Sequence, residues 1–267
     1  MLNDQQFIRY QRQICLPEIN EQGQQRIMDS KVLIIGCGGL GSAASLYLSA
    51  AGVGRLVIVD DDCVDVSNLQ RQVVYRQENV GQHKVEAMSQ QLKQLNPDVS
   101  VRTVAKRLTE VQLNLEIMMA DVVLDCCDNM ATRQQINQAC FQQKTPLVSG
   151  AAIGWNGQFS VYDFGSNDAC YRCLYPFDEI VNPQSCSQSG IVGPVVGILG
   201  NYQALAVIQK LATGRFMVSS NQLHIFDGKS MLWQQLSIHK DSQCSVCGVS
   251  AVSFEVSEVE EVNDAID

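Results

Sequence analysis

Residues 31–60 carry the pattern that most constrains the fold. A short apolar run leads into a glycine-rich turn, Gly36-Cys37-Gly38-Gly39-Leu40-Gly41, and an alanine-rich segment and a second apolar run follow it up to Asp60. This order is typical of a βαβ unit whose glycines let the backbone approach a phosphate at the N-terminus of a helix. Asp60 stands where an acidic residue commonly binds a ribose hydroxyl. The pattern predicts a nucleotide site, against the alternative of a purely structural glycine turn, and does not indicate which nucleotide.

The size and charge of the chain exclude several classes of protein. It has 267 residues, 46% of them hydrophobic, which is enough for a large α/β core. A formal net charge of −9 argues against a nucleic-acid partner. Residues 1–10 are polar and charged, so we expect no signal peptide. The longest apolar run, residues 191–200, is too short to span a bilayer. We therefore expect a cytoplasmic protein with no membrane partner.

Strand and helix patterns alternate along the first part of the chain. Apolar strand patterns and amphipathic helix patterns follow one another at residues 81–95, 99–103, 109–119, 121–125, 132–142 and 147–149. Such alternation predicts a doubly wound, mostly parallel sheet. Beyond Gly150 we expect a loop-rich, partly antiparallel half, with strands at residues 158–163 and 223–233 and a helix near residues 202–211.

These patterns also predict the domain organisation. We expect a single domain over residues 1–248, made of a nucleotide-binding half (1–150) and a second half (151–248). Residues 249–267 form an acidic tail, which we expect to be solvated.

The chain has eleven cysteines, and four of them form two C-x₂-C pairs: Cys170 with Cys173, and Cys244 with Cys247. Four thiolates in this spacing favour a structural zinc that joins the C-terminal end to the loop-rich half. The competing interpretations are a redox dithiol and buried cysteines without a metal. Cys186 lies in a polar loop, where it is either a reactive thiol or a tolerated loop cysteine.

Charged and amide side chains follow the ends of the predicted strands. They are Asp60, Asp62, Asn68, Arg71, Lys84 and Asp128. Arginine and lysine suit phosphate oxygens, and a carboxylate such as Asp128 suits Mg²⁺ that bridges them. The set favours a nucleoside triphosphate, and the sequence has no P-loop motif. Taken singly, Arg71 and Lys84 could equally be solvated surface residues.

An ordered set of segments makes the chain similar to a known family. They are residues 9–14, 36–41, 67–72 and 125–129, together with the two C-x₂-C pairs. The chain resembles, from about residue 2 to residue 248, the ThiF/MoeB family of ubiquitin-activating-like adenylyltransferases. The resemblance implies a homodimer that binds MgATP. The C-terminal glycine carboxylate of a small ubiquitin-like carrier protein then attacks the α-phosphate, which gives an acyl adenylate and pyrophosphate.

The resemblance also implies roles for individual residues. Asp60 would bind ribose, Asp128 would be the magnesium-linked catalytic acid, and Arg12 would reach ATP from the other subunit. Cys186 occupies the loop position of the cysteine linked to sulfur transfer in ThiF-type members, and Arg71 and Lys84 would hold phosphates. The full set of expected nucleotide-binding residues is Gly38, Gly39, Gly41, Asp60, Asp62, Ser67, Asn68, Leu69, Gln70, Arg71, Lys84, Asp128 and Asn129.

Two branches of the family, and two other classes, remain open at this point. ThiF-type members act on the carrier ThiS in thiamin synthesis, and MoeB-type members act on MoaD in molybdopterin synthesis. Segments 107–109, 128–133, 190–197 and 226–230 resemble the ThiF type more. A sulfur donor such as a cysteine desulfurase would complete the pathway, and residues 151–248 would bind the carrier. The other classes are an NAD-dependent oxidoreductase on the same glycine fingerprint and a non-catalytic zinc scaffold.

Overall fold

The computed structural model describes residues 2–177 and 190–248, and its described strands form one eight-stranded sheet. The strands are β1 (Lys31–Ile35), β2 (Arg55–Val59), β3 (Ser100–Val104), β4 (Val122–Asp125), β5 (Leu147–Ile153), β6 (Asn156–Tyr162), β7 (Gln222–Asp227) and β8 (Leu232–Ser237). Their order across the sheet is β3-β2-β1-β4-β5-β6-β7-β8. Strands β1 to β5 are parallel, and β5 to β8 are antiparallel. The predicted α/β class with a mostly parallel sheet is confirmed.

The α-helices cover both faces of the sheet. They are α1 (Asp4–Ile14), α2 (Asn20–Asp29), α3 (Gly39–Ala50), α4 (Lys84–Leu95), α5 (Glu110–Met118), α6 (Met130–Gln143), α7 (Tyr171–Leu174) and α8 (Gly193–Thr213). Side chains alternate along the strands, so each buried strand contributes residues to two apolar cores, one on each face of the sheet. One core packs under α2, α3, α4 and α8. The other packs under α5, α6 and the segment that carries the C-x₂-C cysteines.

Local sequence signals explain where several helices begin. Asn3 and Thr109 cap α1 and α5, and each completes a capping box with a glutamine three residues later. Asn129 caps α6 by accepting a hydrogen bond from the Thr132 N–H at 2.9 Å.

The predicted boundary at residue 150 falls inside β5, and the division of the chain into two halves stays a prediction.

Helix α8 is much longer than predicted, because it begins at Gly193 rather than near residue 202. Pro194 stands in its first turn, where a missing N–H costs no hydrogen bond. Gly200 lies against α3, where an added Cβ would be 2.5 Å from the Leu40 carbonyl oxygen. The absence of a side chain at this position therefore allows α8 to pack closely on α3, and it does not form a turn. By length and composition α8 could cross a membrane, but 56% of its most apolar stretch is buried in the protein, as is common in a core helix.

Candidate active site and metal centre

The glycine turn after β1 lies against the loop after β4. Gly36 has a φ of +96°, and an added Cβ there would be 2.6 Å from the Cys126 carbonyl oxygen. A Cβ at Gly41 would overlap the Gly36 carbonyl oxygen. The turn therefore requires glycine at both positions. Gly38 is the N-cap of α3 and has no side chain to satisfy the first N–H groups of the helix, which is the arrangement that binds phosphates in related turns.

The two loops meet at the switch point of the sheet, and the space beyond the carboxyl ends of β1 and β4 is called the crevice below. Helix α3, which follows β1, packs in the first apolar core, whereas α6, which follows β4, packs in the second. The connections leave the adjacent carboxyl ends of β1 and β4 toward opposite faces. Open α/β sheets bind their ligands at this point. The crevice is therefore the candidate active site.

Asp60 lies at the end of β2 and faces the glycine turn. Its carboxylate accepts hydrogen bonds from the Cys37 N–H at 2.6 Å and from the Asp62 N–H at 2.8 Å. Burial raises the pKa of Asp60, and the Lys84 ammonium and the two N–H groups oppose that shift. A carboxylate offers about four acceptor positions, so the two hydrogen bonds leave it able to accept ribose hydroxyls.

Lys84 and Asp62 form an ion pair beside Asp60. The Lys84 Nζ donates to Asp62 Oδ2 at 2.7 Å, and the Lys84 N–H donates to the Asp62 carbonyl oxygen at 3.0 Å. The lysine side chain is 7% exposed and the aspartate side chain is 67% exposed. The buried stem fixes the ammonium at the rim of the crevice, where it keeps further donors for an anion. The carboxylates of Asp60, Asp61 and Asp62 also lie within 4.8 Å of one another.

The predicted phosphate loop is a 3₁₀ turn, Val66–Asn68, followed by Arg71. Asp65 accepts hydrogen bonds from both the N–H and the hydroxyl of Ser67, and these bonds lower the pKa of Asp65. Asn68 Oδ1 accepts from the Asp65 N–H at 3.2 Å, and Arg71 Nη1 donates to the Ser67 carbonyl oxygen at 2.9 Å. The Ser67 hydroxyl is thus used within the turn, while the half-buried Arg71 keeps most of its five donors.

The next two residues of this loop differ in exposure. Leu69 is half-buried against the first core, and Gln70 is exposed. An added Cβ at Gly193 would be 2.6 Å from the Gln70 carbonyl oxygen, so the start of α8 packs directly on this loop.

Asp128 and Asn129 are exposed in the loop after β4. Arg133, one turn into α6, holds this loop in place by hydrogen bonds. Its Nη1 donates to Asp125 Oδ2 at 2.9 Å, and its Nη2 donates to the carbonyl oxygens of Cys127 and, at 2.8 Å, Gly150. The arginine therefore holds the residue just before Asp128 to the end of β4 and to the middle of β5.

The sequence patterns indicated no role for Arg133 or Gln72. Arg133 shares one helical face with the buried residues Ile136 and Cys140, and this spacing was a signal that the arginine is buried. Gln72 is 3% exposed beside Gly38, and its Oε1 accepts no hydrogen bond from the described residues. No local pattern in the sequence distinguishes Gln72 from its exposed neighbours.

Arg12 lies far from the glycine turn of its own chain. It is exposed in the last turn of α1. Tyr10 of the same helix packs on Gly52, beyond the C-terminal end of α3, and accepts a hydrogen bond from Asn96 Nδ2 at 2.9 Å. The 12 residues of α3 span about 18 Å, so α1 docks at the opposite end of that helix from the candidate site.

The two C-x₂-C pairs meet in space as predicted. The four sulfurs lie within 4.8 Å of one another: 4.0 Å for Cys170–Cys173, 3.7 Å for Cys170–Cys244 and 3.3 Å for Cys173–Cys247. Four sulfurs bound to one tetrahedral zinc would lie about 3.8 Å apart, given Zn–S bonds of about 2.3 Å. The N–H groups of Asp241 and Val246 point at Cys173 and Cys244 sulfurs. The geometry and the donor set fit zinc. Cys186 lies outside the described residues.

Comparison with known proteins identifies the family of this chain. The ThiF family model matches residues 10–246. The sulfur carrier protein ThiS adenylyltransferase of Escherichia coli (strain K12) is 48% identical over 249 residues, covering 93% of this chain and 98% of the relative. The molybdopterin-synthase adenylyltransferase of the same strain is 42% identical over 248 residues, covering 92% and 98%.

A solved structure adds evidence on the fold alone. The crystal structure of E. coli MccB with MccA-N7isoASN is 23% identical, has a TM-score of 0.75 and covers 85% of this chain and 70% of that one. The sequence matches carry the family assignment. The chain therefore belongs to the ThiF family and, like its named relatives, is an adenylyltransferase.

Proposed function

We propose that this enzyme adenylylates the C-terminal glycine carboxylate of a small ubiquitin-like sulfur carrier protein, ThiS, and releases pyrophosphate from ATP. The observation that carries the proposal is the crevice between β1 and β4. There an uncapped helix N-terminus, the Asp60 carboxylate and the Lys84 ammonium lie together. The identity of 48% to a ThiS adenylyltransferase supplies the substrate class.

The charges around the crevice suit a triphosphate better than a dinucleotide. Asp60 would accept the ribose hydroxyls, and the first N–H groups of α3 would face the phosphates. Lys84 and Arg71 would neutralise phosphate oxygens with donors that are not used within the protein. An NAD-dependent oxidoreductase, the alternative from another class, leaves both cations without a role.

The reaction asks little covalent chemistry of the protein. The carrier's carboxylate is already the nucleophile, so the residues need only align it with the α-phosphate and neutralise developing charge. Asp128 would hold Mg²⁺, which would supply further charge neutralisation at the phosphates. Arg133 holds the Asp128 loop to β4 and β5, which reduces the freedom of that loop during the reaction.

We also propose a homodimer with shared sites. Arg12 lies at the far end of α3 from its own glycine turn, and this position supports a role at the partner subunit's nucleotide.

In the same proposal, one structural zinc per chain is bound by Cys170, Cys173, Cys244 and Cys247. Residues 151–248 bind the carrier, Cys186 takes part in sulfur transfer, and a cysteine desulfurase supplies the sulfur.

Pyrophosphate exchange tests the proposal and separates the carriers. Purified enzyme is mixed with ATP, labelled pyrophosphate and either ThiS or MoaD, with and without Mg²⁺. We expect exchange that requires Mg²⁺ and is at least tenfold faster with ThiS. Faster exchange with MoaD would move the enzyme to the molybdopterin branch, whose E. coli member is 42% identical. No exchange with either carrier, with a truncated carrier that lacks its terminal glycine as the blank, would contradict the proposal.

A further inference from the structure

The buried carboxamide of Asn137 connects helix α6 to the cysteine cluster. Asn137 is completely buried, and its Oδ1 accepts a hydrogen bond from the Tyr171 N–H at 2.9 Å. Tyr171 follows Cys170 directly and begins the short helix α7, which carries Cys173. The amide oxygen therefore fixes the backbone of the first C-x₂-C pair.

The other end of the same carboxamide lacks an ordinary partner. Asn137 Nδ2 is buried and makes no hydrogen bond of good geometry to any group in residues 2–177 or 190–248. A buried amide N–H without an acceptor has lost its hydrogen bond to water and gained none in return, which is unfavourable. The proposed metal centre offers an acceptor in the adjoining residue, because the other end of the same carboxamide binds Tyr171 and Cys170 directly precedes Tyr171.

The chemistry of a zinc-bound cysteine also favours a donor at this position. A thiolate attracts an N–H more strongly than a thiol does, because the acceptor then carries a full charge. Zinc binding keeps the ligand sulfur in this deprotonated form.

We infer that Asn137 is a positioning residue of the metal centre, whose carboxamide holds the Tyr171 backbone with its oxygen and donates an N–H to the Cys170 sulfur when zinc is bound. The inference rests on the proposed zinc site and extends it beyond the four ligands. Partners of this kind orient metal ligands, and their loss typically weakens metal binding 10–100-fold. Asn137 lies on α6, which begins just after Asp128. It therefore connects the metal centre to the helix that follows the candidate catalytic loop.

The test removes the two amide N–H donors. Asn137→Asp keeps an oxygen for the Tyr171 N–H at the same side-chain size, and the carboxylate charge that it adds is also present in the control variant. Asn96→Asp is the matched control: Asn96 is also completely buried, accepts from a backbone N–H and donates to Tyr10 and Ser49, on the far side of the molecule from the cysteines. Each full-length protein, loaded with zinc, is mixed with a chromophoric chelator and the rate of zinc release is measured.

We expect zinc release at least tenfold faster from Asn137→Asp and within twofold of wild type from Asn96→Asp. In the cobalt-substituted protein, the neutral variant Asn137→Ser should shift the sulfur-to-metal charge-transfer band to lower energy, since its sulfur lone pair loses a donor. Equal release from the two aspartate variants, or an unshifted cobalt band, would overturn the inference. Freshly purified wild-type protein without zinc would instead contradict the proposed zinc site itself.

If Asn137→Asp does not fold, cadmium-substituted wild-type protein decides the question. A hydrogen bond to a metal-bound sulfur transmits a scalar coupling from ¹¹³Cd to the donated proton. We expect that coupling at the Asn137 side-chain amide, and its absence would overturn the inference.

Discussion

Two ion pairs flank the crevice and differ in how completely they are enclosed. On the β2 side, Lys84 pairs with Asp62, whose side chain is 67% exposed. On the β4 side, Arg133 pairs with Asp125, and their side chains are 7% and 2% exposed. Among the described residues, the lysine ammonium donates to the Asp62 carboxylate, whereas the arginine donates to a carboxylate, a hydroxyl and two carbonyl oxygens. The arginine's hydrogen-bonding capacity is nearly saturated by the protein, and the lysine's is not.

The difference separates residues that hold the scaffold from residues that meet ligands. A buried cation with saturated donors cannot bind a phosphate without breaking its own structure, and removing it leaves a buried charge unpaired. A cation whose partner is exposed can gain a second acceptor at little cost, since surface pairs contribute about 0–1 kcal/mol. Side chains of the first kind should control stability, and those of the second kind should control activity.

The largest effect expected on the scaffold side comes from a cysteine ligand. Cys244→Ser removes one of the four sulfurs, so we expect loss of zinc and unfolding of the C-terminal half, given apparent zinc binding energies of about 10–16 kcal/mol. Metal analysis of the purified variant and limited proteolysis measure both outcomes. Cys140→Ser, a buried cysteine outside the cluster, is the control and should retain one zinc. A Cys244→Ser protein with full zinc content would contradict the assignment.

The largest effect expected on activity comes from Asp128→Ala. Its side chain is exposed, so the melting temperature should stay near that of wild type, while pyrophosphate exchange falls about 1,000-fold or more, equivalent to about 4 kcal/mol. Asp61→Ala, which removes an exposed carboxylate just after β2, is the control and should lose far less. Undiminished exchange in Asp128→Ala would remove that residue from the catalytic set.

The two ion pairs can be compared directly by the same substitution. Arg133→Met leaves Asp125 buried without a partner, and we expect a loss of about 3–5 kcal/mol in the free energy of unfolding. Lys84→Met leaves an exposed Asp62, and we expect a loss of about 1 kcal/mol or less together with much weaker ATP binding. Urea denaturation and equilibrium ATP binding measure the two quantities. A larger loss of stability in Lys84→Met than in Arg133→Met would contradict the distinction between the two ion pairs.

The sequence predicted those parts of the site that depend on local patterns. The glycine turn, the strand ends and the pairing of cysteines at fixed spacing are readable because each is encoded within a few residues. The start of α8 was missed because glycines and a proline usually interrupt a helix. In this helix Pro194 stands in the first turn, Gly193 packs on the loop at Gln70, and Gly200 packs on α3. Gln203, which donates from α8 to the Asp125 and Val148 carbonyl oxygens, depends on a contact between distant segments. Such contacts leave no periodic signal in the chain.

A smaller effect is expected from mixing subunits. Arg12→Ala and Asp128→Ala homodimers should each be nearly inactive. If Arg12 acts on the partner's nucleotide, a heterodimer of the two carries one intact site. Random exchange of equal amounts should then restore about a quarter of wild-type exchange activity, since half of the dimers are mixed and each has one working site. No recovery after subunit exchange has been verified by mass spectrometry would show that Arg12 does not act across the interface.

The smallest effect is expected from Cys186→Ser, which separates adenylylation from sulfur transfer. The charge neutralisation proposed for adenylylation comes from the rim of the crevice, and the nucleophile is the carrier's own carboxylate, so no step calls for a protein thiolate. We therefore expect pyrophosphate exchange within a few-fold of wild type, a change of about 1 kcal/mol or less in the barrier. With a sulfur donor present, the sulfur-linked adduct between enzyme and carrier should disappear on non-reducing gels.

Cys15→Ser, which removes an exposed cysteine on the N-terminal side, is the control and should keep both activities. Survival of the adduct in Cys186→Ser would make Cys186 a tolerated loop residue. A hundredfold loss of exchange would instead place its thiol in the adenylylation site, among the residues that meet ligands.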